Sequence, residues 1–332
     1  MLQLAWQSAL VYSTQGNTSI GNSKAKHPFP PALTHTPTRA LYASRLSRFA
    51  GYSAITMSLL AHTGGLPVEL AELYCVLCAL ALASHAKTTL TDPGSIPASA
   101  VPTESHRHQA KLNMCSQCQT YKPPYSHHCR ICNRCISRMD HHCPWMNNCI
   151  GSGNMKHFIL FLLYTWACSA YGLLLLGWNY FFCSDDECVF ANYLIHLVRV
   201  MTTLSIGAFL FTSSMIMNVC YGIMTGIGTI DRLKKKAMNQ MHTSDEEPIA
   251  LRDIFGIAGY YTWPFPVDPV FEDYDRVMGY STPQRLLREQ MKSNQQQGSS
   301  DVGSNYPPSV ISQSVAGTST ASQPILNNYT PV

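Results

Sequence analysis

A chain of 332 residues that is 46% apolar and only 13% charged fits one or two soluble domains, or a small membrane protein with soluble parts. A formal net charge of +4 and a pI of about 8.4 are too mild to mark a nucleic-acid binder. Thirteen cysteines without a recognisable secretory leader indicate a reduced, metal-binding protein, and seven of them fall between Cys115 and Cys149.

Residues 1–45 are rich in Ser, Thr and Pro after a short apolar start, and read as an N-terminal cytosolic tail. Residues 46–87 form a transmembrane hairpin: a weak apolar run from Leu46 to Thr63, a turn at Gly64, Gly65 and Pro67, and a stronger run from Val68 to Ala86. Arg39, Arg45 and Arg48 before the hairpin and Lys87 after it place both ends on the cytosolic side. Asp92, Pro93 and Gly94 form a turn that leads into residues 88–156, the Cys-rich domain.

Two further apolar runs, Phe158 to Phe182 and Leu194 to Met224, lie within residues 157–224 and are long enough to span. The loop between them carries Asp185, Asp186 and Glu187 with no Lys or Arg, whereas Arg232, Lys234, Lys235 and Lys236 follow the last run. Positive residues favour the cytosolic side, so the expected fold is an all-α polytopic membrane protein with four transmembrane helices. Its Cys-rich two-zinc domain is cytosolic and sits between helices 2 and 3. In the cytosolic C-terminal region, residues 225–292, the aromatic stretch Leu251 to Pro269 suits packing at the membrane face or against the zinc unit. Residues 293–332 have the composition of a disordered tail.

Within the Cys-rich domain one pattern occurs twice, fourteen positions apart: Cys115, Cys118, His128, Cys135, and then Cys129, Cys132, His142, Cys149. Tetrahedral zinc takes thiolates and imidazoles in fours, so the pattern predicts two interleaved structural sites, each closed by its own ligands. A third copy would begin at Cys143, but position 146 holds Met146 where its second Cys should be. That leaves Cys143 a thiol without a ligand set and a candidate nucleophile. The plainer alternative is a spare ligand exchanging with Cys149. No basic recognition helix follows the ligands, so a nucleic-acid finger is not expected.

The run Asp140, His141, His142, Cys143, within this spacing, resembles the DHHC family of protein S-acyltransferases. The match continues through Pro144, Trp145, Asn147, Asn148, Cys149, Gly151, Asn154 and Phe158, with Asp92, Pro93 and Gly94 upstream. Two departures stand out. Gly228, Thr229, Ile230 and Asp231 replace the family's Thr-Thr-x-Glu motif, and Arg252 and Asp253 precede Phe255 and Gly256 where the family carries an Asn.

The resemblance implies a two-step transfer. Cys143 takes a long-chain acyl group such as palmitoyl from acyl-CoA, and the group then passes to cysteines of target proteins near the membrane. A thiol needs activation near neutral pH, so His141 is expected to act as base, oriented by Asp140. Weak candidates for the CoA phosphates are Lys122, Arg130, Arg134, Arg138 and Lys156. Cys168, about 15 Å into the third span, is expected to leave room for the acyl chain, and Golgi or endoplasmic reticulum is the expected location. The competing class is a catalytically inactive membrane-anchored zinc-finger scaffold that recruits partner proteins. Cys75 and Cys78 read as buried small side chains, and Cys183 and Cys188 are left open between paired and free.

Overall fold

The computed structural model describes residues 51, 55, 68–103, 113–182, 192–238, 247–288 and 290–291. The chain divides into two units, Met1–Pro283 and Gln284–Val332, and the elements named below all lie in the first. The expected span Leu46–Thr63, the acidic loop with Cys183 and Cys188, and the two tails lie outside the described residues, apart from Gly51 and Ile55, both helical.

Three helices dominate: α1 (Val68–Leu90), α2 (Met155–Phe182) and α3 (Asn192–Thr225). Each contains a stretch long and apolar enough to cross a bilayer, Glu69–Leu90, Met155–Gly177 and His196–Thr225. α2 is central and packs against both α1 and α3. Small residues are prominent on the faces that α1 and α3 turn inward. On α1 the buried positions include Tyr74, Cys78, Ala81, Ser84 and Thr88, and on α3 they include Met201, Ser205, Ala208, Thr212 and Val219. Spacings of three and four put each set on one helix face. Large apolar side chains such as Leu73, Val76, Leu210 and Met217 point outward instead. In water this distribution would be inverted; in lipid it is expected, because small residues allow helices to approach closely.

The Cys-rich domain contains two hairpins, β2 (His127–Cys129) with β3 (Arg134–Ile136), and β4 (His141–Cys143) with β5 (Asn148–Ile150). Their registers are the same after a shift of fourteen: His128 faces Cys135 as His142 faces Cys149, and Cys129 faces Arg134 as Cys143 faces Asn148. Left-handed residues recur at the same interval, at Gln119, Asn133 and Asn147. The third copy of the turn therefore exists in the backbone even though Met146 has removed its second thiol.

After α3 come α4 (Thr229–Ala237), α5 (Leu251–Phe255), a 3-10 turn (Tyr260–Thr262) and α6 (Tyr274–Met278). The strand β6 (Tyr280–Ser281) then returns to pair with β1 (Val101–Pro102). Phe271 and Tyr274 pack on the cluster that contains Cys115, Tyr121 and Cys135, so the C-terminal region braces the first Cys/His group.

The Cys-rich domain is attached to the helices at the end of α1. The last carbonyls of a helix have no partner within it. Here Asn148 Nδ2 donates to the carbonyls of Thr88, Thr89 and Thr91 at 3.2, 3.3 and 3.0 Å, and Asn154 Nδ2 donates to Thr88 at 3.1 Å. Beside them Asp92 Oδ1 accepts from the amides of Gly94 and Ser95. Gly151 and Gly153 would be expected to loosen the chain here, but their role is close approach. A Cβ on Gly153 would lie 2.3 Å from the Asp92 carbonyl oxygen, and one on Gly151 would lie 2.6 Å from that of Pro93.

Gly153→Ala should therefore force the two segments apart and cost about 1–3 kcal/mol. A lower midpoint of thermal unfolding in detergent would show this. Gly177→Ala, whose Cβ would meet nothing within 4 Å, should leave the midpoint unchanged.

Candidate active site and metal centres

The two predicted ligand sets, Cys115, Cys118, His128, Cys135 and Cys129, Cys132, His142, Cys149, each converge, with ligand atoms within 4.8 Å of one another. Zinc–sulfur bonds of about 2.3 Å in a tetrahedron put ligand atoms roughly 3.8 Å apart. His128 Nδ1 lies 3.8, 3.2 and 3.9 Å from the sulfurs of Cys115, Cys118 and Cys135. His142 Nδ1 lies 3.6, 3.4 and 3.6 Å from those of Cys129, Cys132 and Cys149. Backbone amides of Cys118 and Cys132 also point at the sulfurs of Cys115 and Cys129, at 3.5 and 3.3 Å.

Electrostatics favour an ion at both centres. Hydrogen bonds from Cys132 and Cys149 push the Cys129 thiol far below its ordinary pKa, while Cys129 and Cys132 push the Cys149 thiol far above it. Thiols this close cannot all ionise without a cation among them. The two groups thus fit two zinc ions, whose contribution would be to hold the hairpins rather than to react.

Cys143 ends β4 and points away from its neighbour His142, because successive strand residues face opposite sides. It is 3% exposed and packs with Met146, Ile150, Phe158, Leu162 and Val219, so its sulfur sits where α2 and α3 meet the Cys-rich domain. His141 lies two residues before Cys143 on β4 and so shares its strand face. Its Nδ1 is 2.7 Å from Asp140 Oδ2, and its ring stands edge-on to Phe158, 5.4 Å between centroids.

Asp140 is nearly buried. Burial raises its pKa, but hydrogen bonds from His141 and from the Thr229 amide, 2.8 Å from Oδ1, more than reverse this and keep it ionised. Burial likewise lowers the pKa of His141, yet Asp140 and Cys143 outweigh it and raise the value to about 9. His141 is therefore an imidazolium at neutral pH.

The basic candidates separate. Arg134 contacts Asp92 at 3.3 Å, Arg138 lies over the Tyr125 ring, and Lys156 is buried with Nζ on the Thr262 carbonyl at 3.1 Å. Arg130 is exposed and Lys122 half-buried. Cys168 is buried, and its sulfur faces that of Cys78 at 3.7 Å beside Tyr74, on the seam between α1 and α2.

Sequence reasoning missed four contributors. Thr229 acts through its amide, which the partial motif at Gly228–Asp231 hinted at without showing the atom. Asn148 and Asn154 matched the family pattern but gave no sign that they hold α1. His127, given no role, lies with Nε2 2.8 Å from Asp231 Oδ1. The fourteen-residue repeat was the available signal, since His127 occupies the place of His141 and each meets a carboxylate.

These features define a class: a protein with candidate membrane spans that presents Asp140, His141 and Cys143 at its helix ends, on a hairpin flanked by two groups that could hold metal ions. Residues 108–236 match the family model described as DHHC palmitoyltransferase. It is 35% identical over 171 residues to Palmitoyltransferase ZDHHC3 of Rattus norvegicus, covering 48% of this chain and 57% of that protein. It is 31% identical over 205 residues to Palmitoyltransferase ZDHHC3-A of Danio rerio, covering 58% and 64%. Against Probable protein S-acyltransferase 15 of Arabidopsis thaliana it is 40% identical over 111 residues, covering 32% and 44%. The aligned part thus spans between two fifths and two thirds of these relatives.

Cys135→Ala should lower the bound zinc by about one ion per chain, whereas Cys143→Ser should leave two. Elemental analysis of the purified proteins distinguishes them, and a loss of zinc in Cys143→Ser would make Cys143 a ligand.

Proposed function

We propose that this protein is an S-acyltransferase that moves a long-chain acyl group from acyl-CoA to Cys143 and then to cysteines of target proteins. The single observation carrying this reading is the buried Cys143 sulfur, outside both metal-binding groups and on the same strand face as His141, whose ring is held by Asp140. Its relatives' names as palmitoyltransferases support the same chemistry.

The nucleophile in such a transfer is the thiolate of Cys143, not the thiol. The thiolate attacks the thioester carbonyl, a carbon–sulfur bond forms to Cys143, and CoA leaves as its thiolate, taking up the proton that His141 can supply. In the second step the target thiol gives its proton to His141 and displaces Cys143, which restores the pair. Asp140 keeps the ring oriented throughout and favours its charged form before and after the cycle. The bound zinc ions would supply structural support alone, because each would be closed by four protein ligands.

The acyl chain is placed among the helices, starting at Phe158, Leu162 and Val219, with Cys168 and Cys78 near its far end. CoA remains in water, where Lys122 and Arg130 are the candidates for its phosphates, since Arg134, Arg138 and Lys156 already hold other partners. The fourth span belongs to Leu46–Thr63, the site and both termini face the cytosol, and the compartment is the Golgi or endoplasmic reticulum. This reading rests on charge distribution along the sequence.

Incubation with palmitoyl-CoA should give a hydroxylamine-sensitive adduct on the wild-type chain that is absent from Cys143→Ser at unchanged zinc content. An equal adduct in both would leave the zinc-finger scaffold as the better reading. Cys168→Phe should fill the seam and shift preference toward shorter chains by several-fold, read as competition between acyl-CoAs of different length. An unchanged preference would remove Cys168 from the acyl path.

A further inference from the structure

Residues 257–267, Ile-Ala-Gly-Tyr-Tyr-Thr-Trp-Pro-Phe-Pro-Val, contain no charged side chain. Several of them are exposed: Tyr260 by 74%, Tyr261 by 77% and Phe265 by 53%. Three ties fix where this apolar surface lies. Lys156 Nζ donates to the Thr262 carbonyl at 3.1 Å, the Tyr164 hydroxyl donates to the Pro264 carbonyl, and His157 Nε2 lies 3.0 Å from Asp268 Oδ1. Asp268 also meets Lys87 near the end of α1, at 2.7 Å.

Lys87, Lys156 and His157 mark the ends of two candidate spans on the side of the Cys-rich domain. Tyr164 follows His157 by seven residues, about 10 Å further along α2. The segment therefore starts level with Lys156 at Thr262, runs down α2 toward Tyr164 at Pro264, and climbs back to His157 at Asp268. Its lowest point is Pro264, Phe265 and Pro266.

The backbone of this dip is suited to lipid. A peptide group at membrane depth must find its partner within the protein. Pro264 and Pro266 have no N–H. The amides of Thr262, Trp263, Phe265 and Val267 donate to the carbonyls of Gly259, Tyr260, Thr262 and Phe265 at 3.0, 3.1, 3.3 and 2.8 Å. The Trp263 indole donates to the Gly256 carbonyl and stacks on Phe255. Every amide from Thr262 to Val267 is thus bonded internally or missing, while Tyr260, Tyr261 and Phe265 face outward.

We propose that residues 260–267 are a lipid-inserted turn, lying in the headgroup–acyl boundary of the leaflet next to the Cys-rich domain, with Asp268 clasping its exit to α1 and α2. The exposed Tyr pair supplies the amphipathic rings that favour this boundary, and Phe265 enters the acyl region. The surface continues that of α2, so the occupant is the bilayer that surrounds the spans. The turn acts as a depth stop for the Cys-rich domain.

The test is photocrosslinking in phospholipid nanodiscs, with p-benzoylphenylalanine placed singly at positions 265 and 261 and, as control, at exposed Met114 in the Cys-rich domain. It can be run in Cys143→Ser, so acyl adducts do not interfere and the outcome is separate from the transferase reading. Zinc content and a monodisperse elution profile establish that each protein is folded. Phospholipid adducts at 265 and 261 should exceed those at 114 by at least tenfold. Adducts no greater than at 114, or crosslinks mainly to a second copy of the chain, would overturn the proposal.

Discussion

The alternation of side chains along a β-strand is the constraint on which the site depends. On β2, His128 turns to one Cys/His group and Cys129, the next residue, turns to the other. Repeating that strand fourteen residues later gives His142 to the second group and aims Cys143 at a third position where no group exists. The interleaving of the metal centres and the release of Cys143 are thus one geometric fact. A single-residue slip in the β4–β5 register would exchange the faces, sending the nucleophile toward the metal and a ligand toward the helices.

A rigid hairpin is useful here only if it is held against the helices, and that attachment is polar. Asn148 and Asn154 replace the water that the final carbonyls of α1 would otherwise need, and Gly151 and Gly153 let two backbones approach closely enough for those bonds to form. Each hydrogen bond contributes on the order of 1 kcal/mol, but an unpaired buried carbonyl costs more. The arrangement therefore works more by penalising displacement than by strong attraction. Phe158, in the first turn of α2, completes it by touching both the Cys143 cluster and the His141 ring.

Legibility in the sequence followed the range of the interaction. The ligand sets could be read because metal coordination prescribes residue type and spacing together, and the lone status of Cys143 followed from where the repeat breaks at Met146. Two-stranded pairing of the hairpins was not foreseen, since three-residue strands leave no alternation long enough to detect. The contact of His127 with Asp231 joins residues about a hundred positions apart through α3 and α4, and no local pattern reports it. Gly151 and Gly153 give no sign of their role, because a glycine required by a neighbouring backbone looks, in one dimension, like one that frees its own. The stretch Leu251 to Pro269 was expected at the membrane face or against the zinc unit; its ties run to α2, and residues just beyond it reach the first Cys/His cluster. Thr262–Asp268 follows α2, and Phe271 and Tyr274 join the first Cys/His cluster.

The bond from the Thr229 amide to Asp140 has a different character from the rest of the site, because one of its partners is the main chain. Nineteen of the twenty amino acids carry that donor, and the Thr229 hydroxyl has a task of its own, accepting from Asn218 Nδ2 at 3.1 Å and helping to keep the Asp140 pKa low. Proline alone lacks the amide donor. A motif that has drifted at its neighbours can still deliver the same hydrogen bond, which separates the spelling of this segment from its electrostatic task.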